Sequence, residues 1–244
     1  MSVFSHIDFD HHEQVVYGHD KASGLRAIIA IHNSNLGPAL GGCRMWPYAN
    51  DDEALRDVLR LSRGMTYKSA LANLPLGGGK AVIRLPQGDF DRAALFRAFG
   101  REVERLEGRY LTAEDVGTGV ADMEWVRTET AHVAGLPAAQ GVVGGDPSPW
   151  TALGVLSAME EAVRRRHGSG IAGATVAVQG LGHVGSHLCE LLANVGARLV
   201  VADVDDPLLQ PRSAFETAYA DIAAGVGQWQ SRLLALPTSQ LPRP

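Results

Sequence analysis

Cysteine is scarce: the 244 residues hold only Cys43 and Cys189. Neither has the spacing of a metal-binding set, and two thiols make no disulfide framework, so a reducing cytosol is the expected location. Basic charge is not in excess either. Lys and Arg total 22 against 27 Asp and Glu, a formal net charge of -5, which excludes the electrostatic footprint of a nucleic-acid partner. The densest basic cluster, Arg164-Arg165-Arg166, follows an apolar helical pattern and marks a helix C-terminus, where cations favour the dipole. Long apolar runs are missing as well. The opening MSVFSHIDFDHHEQ is polar and acidic, with no signal-peptide core, and no stretch is long enough to span a membrane. His11-His12-Glu13 has no further ligand pattern beside it; it reads as a polar approach to the first strand, and no metal is expected. The last stretch, 206–244, lacks strand formers. Its only β-branched aliphatics are Ile222 and Val226, among Pro207, Pro211, Pro237, Pro242 and Pro244.

What is present suits one large or two modest α/β domains, with 45% hydrophobic residues to fill a core. Gln14 to Tyr17 and Leu25 to His32 read as strands of a hairpin. Leu36 to Trp46, LGPALGGCRMW, is punctuated by Gly and Pro and reads as a loop with exposed backbone at Gly41-Gly42. Asn50 to Glu53 starts a helix whose apolar face includes Leu55, Val58 and Leu59 and which leads to Met65 and Lys68. Asp91 opens a second amphipathic helix. Tyr110 to Ala113 is a short strand ending on Glu114-Asp115, at the end of a strand where α/β sheets bind ligands. Asp146-Pro147-Ser148-Pro149 is the expected domain boundary, ahead of a helix over Thr151–Arg166. Thr151 either lies simply in the first helical turn or faces a cleft.

The central stretch is MTYKSALANLPLGGGK, Met65 to Lys80. Gly77-Gly78-Gly79 reads as a turn, with Lys80 held straight after it beside an open space. An ammonium in such a crowded apolar site can lose its proton near neutral pH. In isolation, a solvated lysine after an ordinary loop explains the segment better.

A second stretch joins Ala174–Val178, the run Gly180-Leu181-Gly182-His183-Val184-Gly185, a helix over Ser186–Val195, and a strand ending on Asp203. A lone GxGxxG is weak, but a strand before, a helix after and an acid about 20 residues on complete the dinucleotide fingerprint. The helix N-terminus suits a pyrophosphate. Asp203 accepts hydrogen bonds from ribose hydroxyls and repels a 2′-phosphate, so NAD is expected over NADP.

Together LGPALGG, MTYKSA, LPLGGGKAVI, YLTAEDVGT, DPSPWTALGV and VQGLGHVG resemble the Glu/Leu/Phe/Val dehydrogenase family, in its leucine/valine dehydrogenase branch, from about residue 11 to about 206. The resemblance implies a substrate and dimerisation domain over 1–146, the first half of a doubly wound Rossmann domain over 147–205, and a divergent tail over 206–244. It implies NAD-dependent oxidative deamination of a branched aliphatic L-amino acid to a 2-oxo acid and ammonia, in a cytoplasmic homo-oligomer. Lys68 would hold the substrate carboxylate with Gly41 and Gly42, while Lys80 and Asp115 would be catalytic. Leu40 and Ala113 would line the side-chain pocket, and Met65 would also bind the substrate. Leu40 stands where the glutamate branch looks to have a lysine. Thr151, Gly180, Gly182, His183, Val184, Gly185, Asp203 and Val204 would hold the cofactor. A phenylalanine dehydrogenase, a non-catalytic binding remnant and a hydroxy-acid dehydrogenase are the alternatives. The tail resembles a truncation or a frameshift, which predicts little turnover, weak NAD binding and a poorly ordered segment after about residue 206.

Overall fold

The computed structural model describes residues 2–137 and 144–203. Val204 and the 206–244 tail, with the order predicted for it, lie outside the described residues. The chain divides into two compact units, 1–146 and 147–244.

The first unit is built on a five-stranded mixed sheet, β1 (Gln14–Asp20), β2 (Leu25–Asn33), β3 (Ala39–Trp46), β4 (Gly77–Arg84) and β5 (Tyr110–Glu114), in the order β1-β2-β4-β3-β5. The hairpin β1–β2 and the β2–β4 pair are antiparallel; β4, β3 and β5 run parallel. Asp20 closes the hairpin by accepting from Ser23 N at 2.8 Å and Ser23 Oγ at 2.6 Å. Helix α1 (Asp51–Leu71) begins where Asn50 Oδ1 accepts from Glu53 N, and α2 (Arg92–Glu104) where Asp91 Oδ1 accepts from Ala94 N. Each cap satisfies a first-turn N–H that has no helical partner. Helix α3 (Val120–Arg127) is tied to α2 by Arg92, which grips buried Asp122 through two nitrogens at 2.7 Å each.

Side chains alternate across a strand, so each face of the sheet buries its own set. Ile29, Ile31, Cys43, Met45, Ala81 and Ile83 pack under Phe96 and Phe99 of α2. Ile28, Ala30 and Val82 pack under Leu55, Val58 and Leu59 of α1.

Two expectations are corrected here. Of the stretch expected as a loop, only Leu36 to Pro38 lies outside the sheet; Ala39 to Trp46 is the interior strand β3, paired on both sides. Nor is Gly77-Gly78-Gly79 a turn: it is the buried start of β4. The glycines serve close packing within the sheet. A Cβ on Gly41 would lie 1.8 Å from the Gly79 carbonyl oxygen, and one on Gly78 would lie 2.1 Å from Thr66 N of α1. Chain punctuation and tight strand contact call for the same residue, so the sequence reads alike in both cases.

The second unit contains α4 (Ser148–His167), β6 (Thr175–Gln179), α5 (His183–Asn194) and β7 (Arg198–Ala202). β6 and β7 are parallel neighbours joined through α5, a Rossmann-type βαβ unit. Ala152 and Leu156 of α4, Ile171, and Leu188, Cys189 and Leu192 of α5 form its core. α4 ends with Arg164, Arg165, Arg166 and His167 in its last turn, and Gly168 leaves it at φ 67°. Both units are α/β. Among the described residues no helix is long and apolar enough to cross a membrane.

Candidate active site

Strand alternation fixes which residues share the α1 face of the first unit. Val82 packs against α1, and Gly78 meets Thr66, so Lys80 lies on that face between them. Arg44 reaches Asp57 of α1, which places Arg44, Gly42 and Leu40 of β3 on the same side. Leu40 pairs with Gly78 and with Leu111, and Gly42 pairs with Ala113. The sheet therefore presents small or apolar positions at 40, 42, 78 and 113 around one buried cation.

That cation is Lys80, 5% exposed. Its Nζ lies 3.0 Å from Oδ2 of Asp115, the first residue after β5. The same oxygen accepts from Arg44 Nε at 2.9 Å. Arg44 Nη1 donates to Asp57 Oδ2 at 3.0 Å, and that oxygen also accepts from the Tyr48 hydroxyl at 2.7 Å. Thr118 Oγ1 accepts from Asp115 N at 2.8 Å and donates to the Cys43 carbonyl at 2.8 Å, which fixes the backbone after β5. Burial alone would raise the Asp115 carboxyl. Lys80 and Arg44 outweigh it and hold the group below its ordinary value near 3.8. The opposite sign appears at Tyr48, where burial and then Asp57 push the phenol up. Asp115 is thus an ionised acceptor beside the buried Lys80 side chain, a pair able to exchange a proton with a substrate amine or a water.

Lys68 and Met65 lie toward the end of α1. Met65 is half-buried, Lys68 is exposed, and among the described residues Lys68 makes no ion pair. Ala113 is half-buried. The Gly41 carbonyl accepts from the buried Tyr110 hydroxyl at 2.6 Å. Sequence reasoning missed Arg44, Asp57 and Tyr48. Arg44 stands two residues after Gly42, so alternation along a strand would have put it on the same face, but a loop has no such alternation. His12, suggested for metal only by its neighbours, is buried instead against Leu59 O at 3.0 Å and Ser62 Oγ at 3.1 Å. Among the described residues no cluster of His, Cys, Asp or Glu could hold a metal ion.

In the second unit Gly180 adopts φ 92°, a backbone closed to most side chains, and Gly182 caps α5. A Cβ on Gly185 would lie 1.9 Å from the Gly180 carbonyl oxygen, so the helix packs directly on the turn. A Cβ on Gly182 would meet nothing within 4 Å, which leaves open space before the first turn of α5. His183 and Val184 begin that turn, and its free backbone N–H groups and positive dipole end suit an anionic group. Asp203 Oδ2 accepts from Leu181 N at 2.5 Å, so the acid after β7 grips the glycine turn itself. This arrangement fits a dinucleotide. Thr151 is exposed in the first turn of α4, with its hydroxyl donated to the Pro147 carbonyl at 3.0 Å.

The family models agree with these two units. The Glu/Leu/Phe/Val dehydrogenase dimerisation domain matches residues 11–132, and the Glutamate/Leucine/Phenylalanine/Valine dehydrogenase domain matches 146–212. The chain belongs to the Glu/Leu/Phe/Val dehydrogenase family. It is 52% identical over 206 residues to the leucine dehydrogenase of Geobacillus stearothermophilus, covering 84% of this chain and 56% of that one. To the phenylalanine dehydrogenase of Bacillus thermotolerans it is 51% identical over 201 residues, covering 82% and 52%. Among solved structures it resembles the hetero-hexameric glutamate dehydrogenase from Thermus thermophilus in its leucine-bound form, with TM-score 0.70, 25% identity and 95% and 57% coverage. The chain thus spans little more than half the length of these relatives.

Proposed function

We propose that this chain binds a branched aliphatic L-amino acid and NAD for oxidative deamination to the 2-oxo acid and ammonia. The observation that carries the reading is the buried Lys80–Asp115 pair on a sheet face otherwise small or apolar at 40, 42, 78 and 113. Lys68, exposed near the end of α1, holds the substrate carboxylate as an ammonium, with Gly41 and Gly42 beside it. The glycine turn at 180–185, Asp203, Val204 and Thr151 would hold NAD, which when bound would supply the hydride acceptor. Asp115 takes a proton from the amino group. Lys80, in its neutral form, takes a proton from the water that adds to the α-carbon, and Asp115 returns its proton to the amino group as ammonia leaves. Leu40, Met65 and Ala113 receive the side chain, and none of them offers a charge to an acidic one. Asp203 disfavours a 2′-phosphate, which supports NAD over NADP. The matched dimerisation domain supports a homo-oligomer, the hetero-hexameric neighbour supports assembly of some kind, and two buried free cysteines suit the cytoplasm.

A phenylalanine substrate is the second reading, because the phenylalanine dehydrogenase relative is as similar as the leucine one. Calorimetric titration with 4-methyl-2-oxopentanoate, phenylpyruvate and 2-oxoglutarate separates the readings. The branched aliphatic oxo acid should bind most tightly and 2-oxoglutarate least. Tighter binding of phenylpyruvate would favour the aromatic substrate, and equal binding of 2-oxoglutarate would contradict both.

A further inference from the structure

Two cations share a single oxygen of Asp115. Lys80 Nζ and Arg44 Nε both bind Oδ2, at 3.0 and 2.9 Å. Oδ1 has no hydrogen bond among the described residues. Arg44 is itself held from behind, because Nη1 binds Asp57 Oδ2, which the Tyr48 hydroxyl also engages. Tyr48 is buried and Asp57 lies on α1, so the line Tyr48–Asp57–Arg44–Asp115–Lys80 ties α1 to strands β3 and β4 and the end of β5. A guanidinium has a rigid planar fork, and one bonded at two nitrogens cannot swing without breaking a charge-assisted bond.

We propose that Arg44 is a positioning residue: with Lys80 it binds Oδ2 of Asp115 and so reserves Oδ1 for proton exchange with the substrate amino group. This rests on the amino-acid dehydrogenase reading. In the step concerned, an N–H bond of the substrate ammonium breaks, its electron pair stays on nitrogen, and the proton forms an O–H bond at Oδ1. Asp115 is then neutral, and Lys80 and Arg44 keep their bonds to Oδ2. The proton leaves Oδ1 later, when the departing amino group takes it back and leaves as ammonia.

The groups around Asp115 are few. Lys80 faces it from β4 and Arg44 from β3, with Asp57 and Tyr48 one bond further out. The buried Cys43 thiol and Tyr110 phenol lie within electrostatic reach, and burial holds both above their ordinary values. Glu114, half-buried, precedes it on β5. Of these, only Arg44 and Lys80 touch the carboxylate with positive charge.

The test is a 13C NMR titration of the Asp115 side-chain carboxyl in the full chain, assigned by its loss in Asp115→Asn. The Arg44→Gln change should raise the midpoint, and Arg44→Lys should recover part of the difference by restoring charge without the fork. An unmoved midpoint in a folded Arg44→Gln protein overturns the proposal. If Arg44→Gln does not fold, the Arg44 Nε–H of the unaltered chain answers instead. It should exchange slowly with water and shift with the Asp115 midpoint; fast exchange with no such shift overturns the proposal. Leucine binding, followed by calorimetry on the same samples, keeps the two readings apart. Leucine binding with an unmoved midpoint removes the role of Arg44 alone. A raised midpoint in a chain that binds no leucine removes the dehydrogenase reading, and the proton role of Oδ1 with it.

Discussion

Gly78 of β4 and Thr66 of α1 touch so closely that a single methyl group on Gly78 would lie 2.1 Å from the Thr66 nitrogen. The contact brings the last turns of α1, which carry Met65 and Lys68, down onto the strand that carries Lys80. His32 of β2 seals the same point, its Nδ1 2.8 Å from Thr66 Oγ1. Gly78→Ala should therefore destabilise the first unit by about 3 kcal/mol or more, because the clash is with backbone and cannot be relieved by a rotamer. Gly64→Ala in the same helix is the control. It meets nothing within 4 Å, and Ala at a helix interior should stabilise by about 0.5–1 kcal/mol. Urea unfolding of the two variants checks both; equal midpoints would show that the seam is loose.

His12 should give the first unit a pH-dependent stability. Asp10 N donates to Nδ1 at 3.2 Å, so the neutral ring carries its proton on Nε2 and donates it to Leu59 O. Protonating Nδ1 destroys the bond from Asp10 N. Burial chiefly, with the nearby His32, depresses the His12 pKa below 6.5 despite the bond to Leu59. A base with a depressed folded pKa stabilises fully above its unfolded pKa, and that stability is lost as pH falls through 6.5 toward the lowered value. Urea midpoints should drop across that window, and His12→Gln should flatten the drop. An identical pH profile in the variant would remove His12 from this role.

Leu40 sits on the α1 face of the sheet, paired with Gly78 and Leu111. Leu40→Lys should add a partner for an acidic side chain and shift the binding preference from 4-methyl-2-oxopentanoate toward 2-oxoglutarate. A hydrogen-bonding or ionic pocket discriminates more sharply than an apolar one, where a methylene is worth only about 1–3 kcal/mol. No shift in calorimetric preference would mean that the side chain binds elsewhere.

Asp203 has two tasks to separate. It accepts from Leu181 N, and it is the charge expected to repel a 2′-phosphate. Asp203→Asn keeps an acceptor for Leu181 and loses the charge, so the gap between NAD and NADP affinity should narrow with the fold intact. Asp203→Ala should also loosen the glycine turn and weaken both. If NAD and NADP already bind equally to the unaltered chain, Asp203 has no part in the choice.

The elements with strong local signals are legible in the sequence. The caps Asn50 and Asp91, the apolar stripe Leu55, Val58 and Leu59, and the strand–glycine–helix run before Asp203 all follow from neighbours in the chain. β3 and the start of β4 are not legible. Their glycines answer to the backbone of another strand or helix, and no local pattern reports that. Arg44 is hidden for the same reason, since it meets Asp115 across 71 residues of sequence. The motif resemblance singles out Lys80 and Asp115, whereas Arg44, Asp57 and Tyr48, which hold Asp115 in place, emerge only once β3 and α1 stand side by side.

The central claim is that the α1 face of the first unit is an amino-acid site in which Lys68 binds the carboxylate and Lys80 works on the amino-bearing carbon. Calorimetric titration of 4-methyl-2-oxopentanoate into the full chain, Lys68→Ala and Lys80→Ala tests it most directly. The account predicts measurable binding to the full chain, a loss of at least about tenfold in Lys68→Ala, as a charge-assisted contact of about 1.5–3 kcal/mol implies, and a smaller loss in Lys80→Ala. Equal binding by the full chain and Lys68→Ala, or no binding by any of the three, would contradict it.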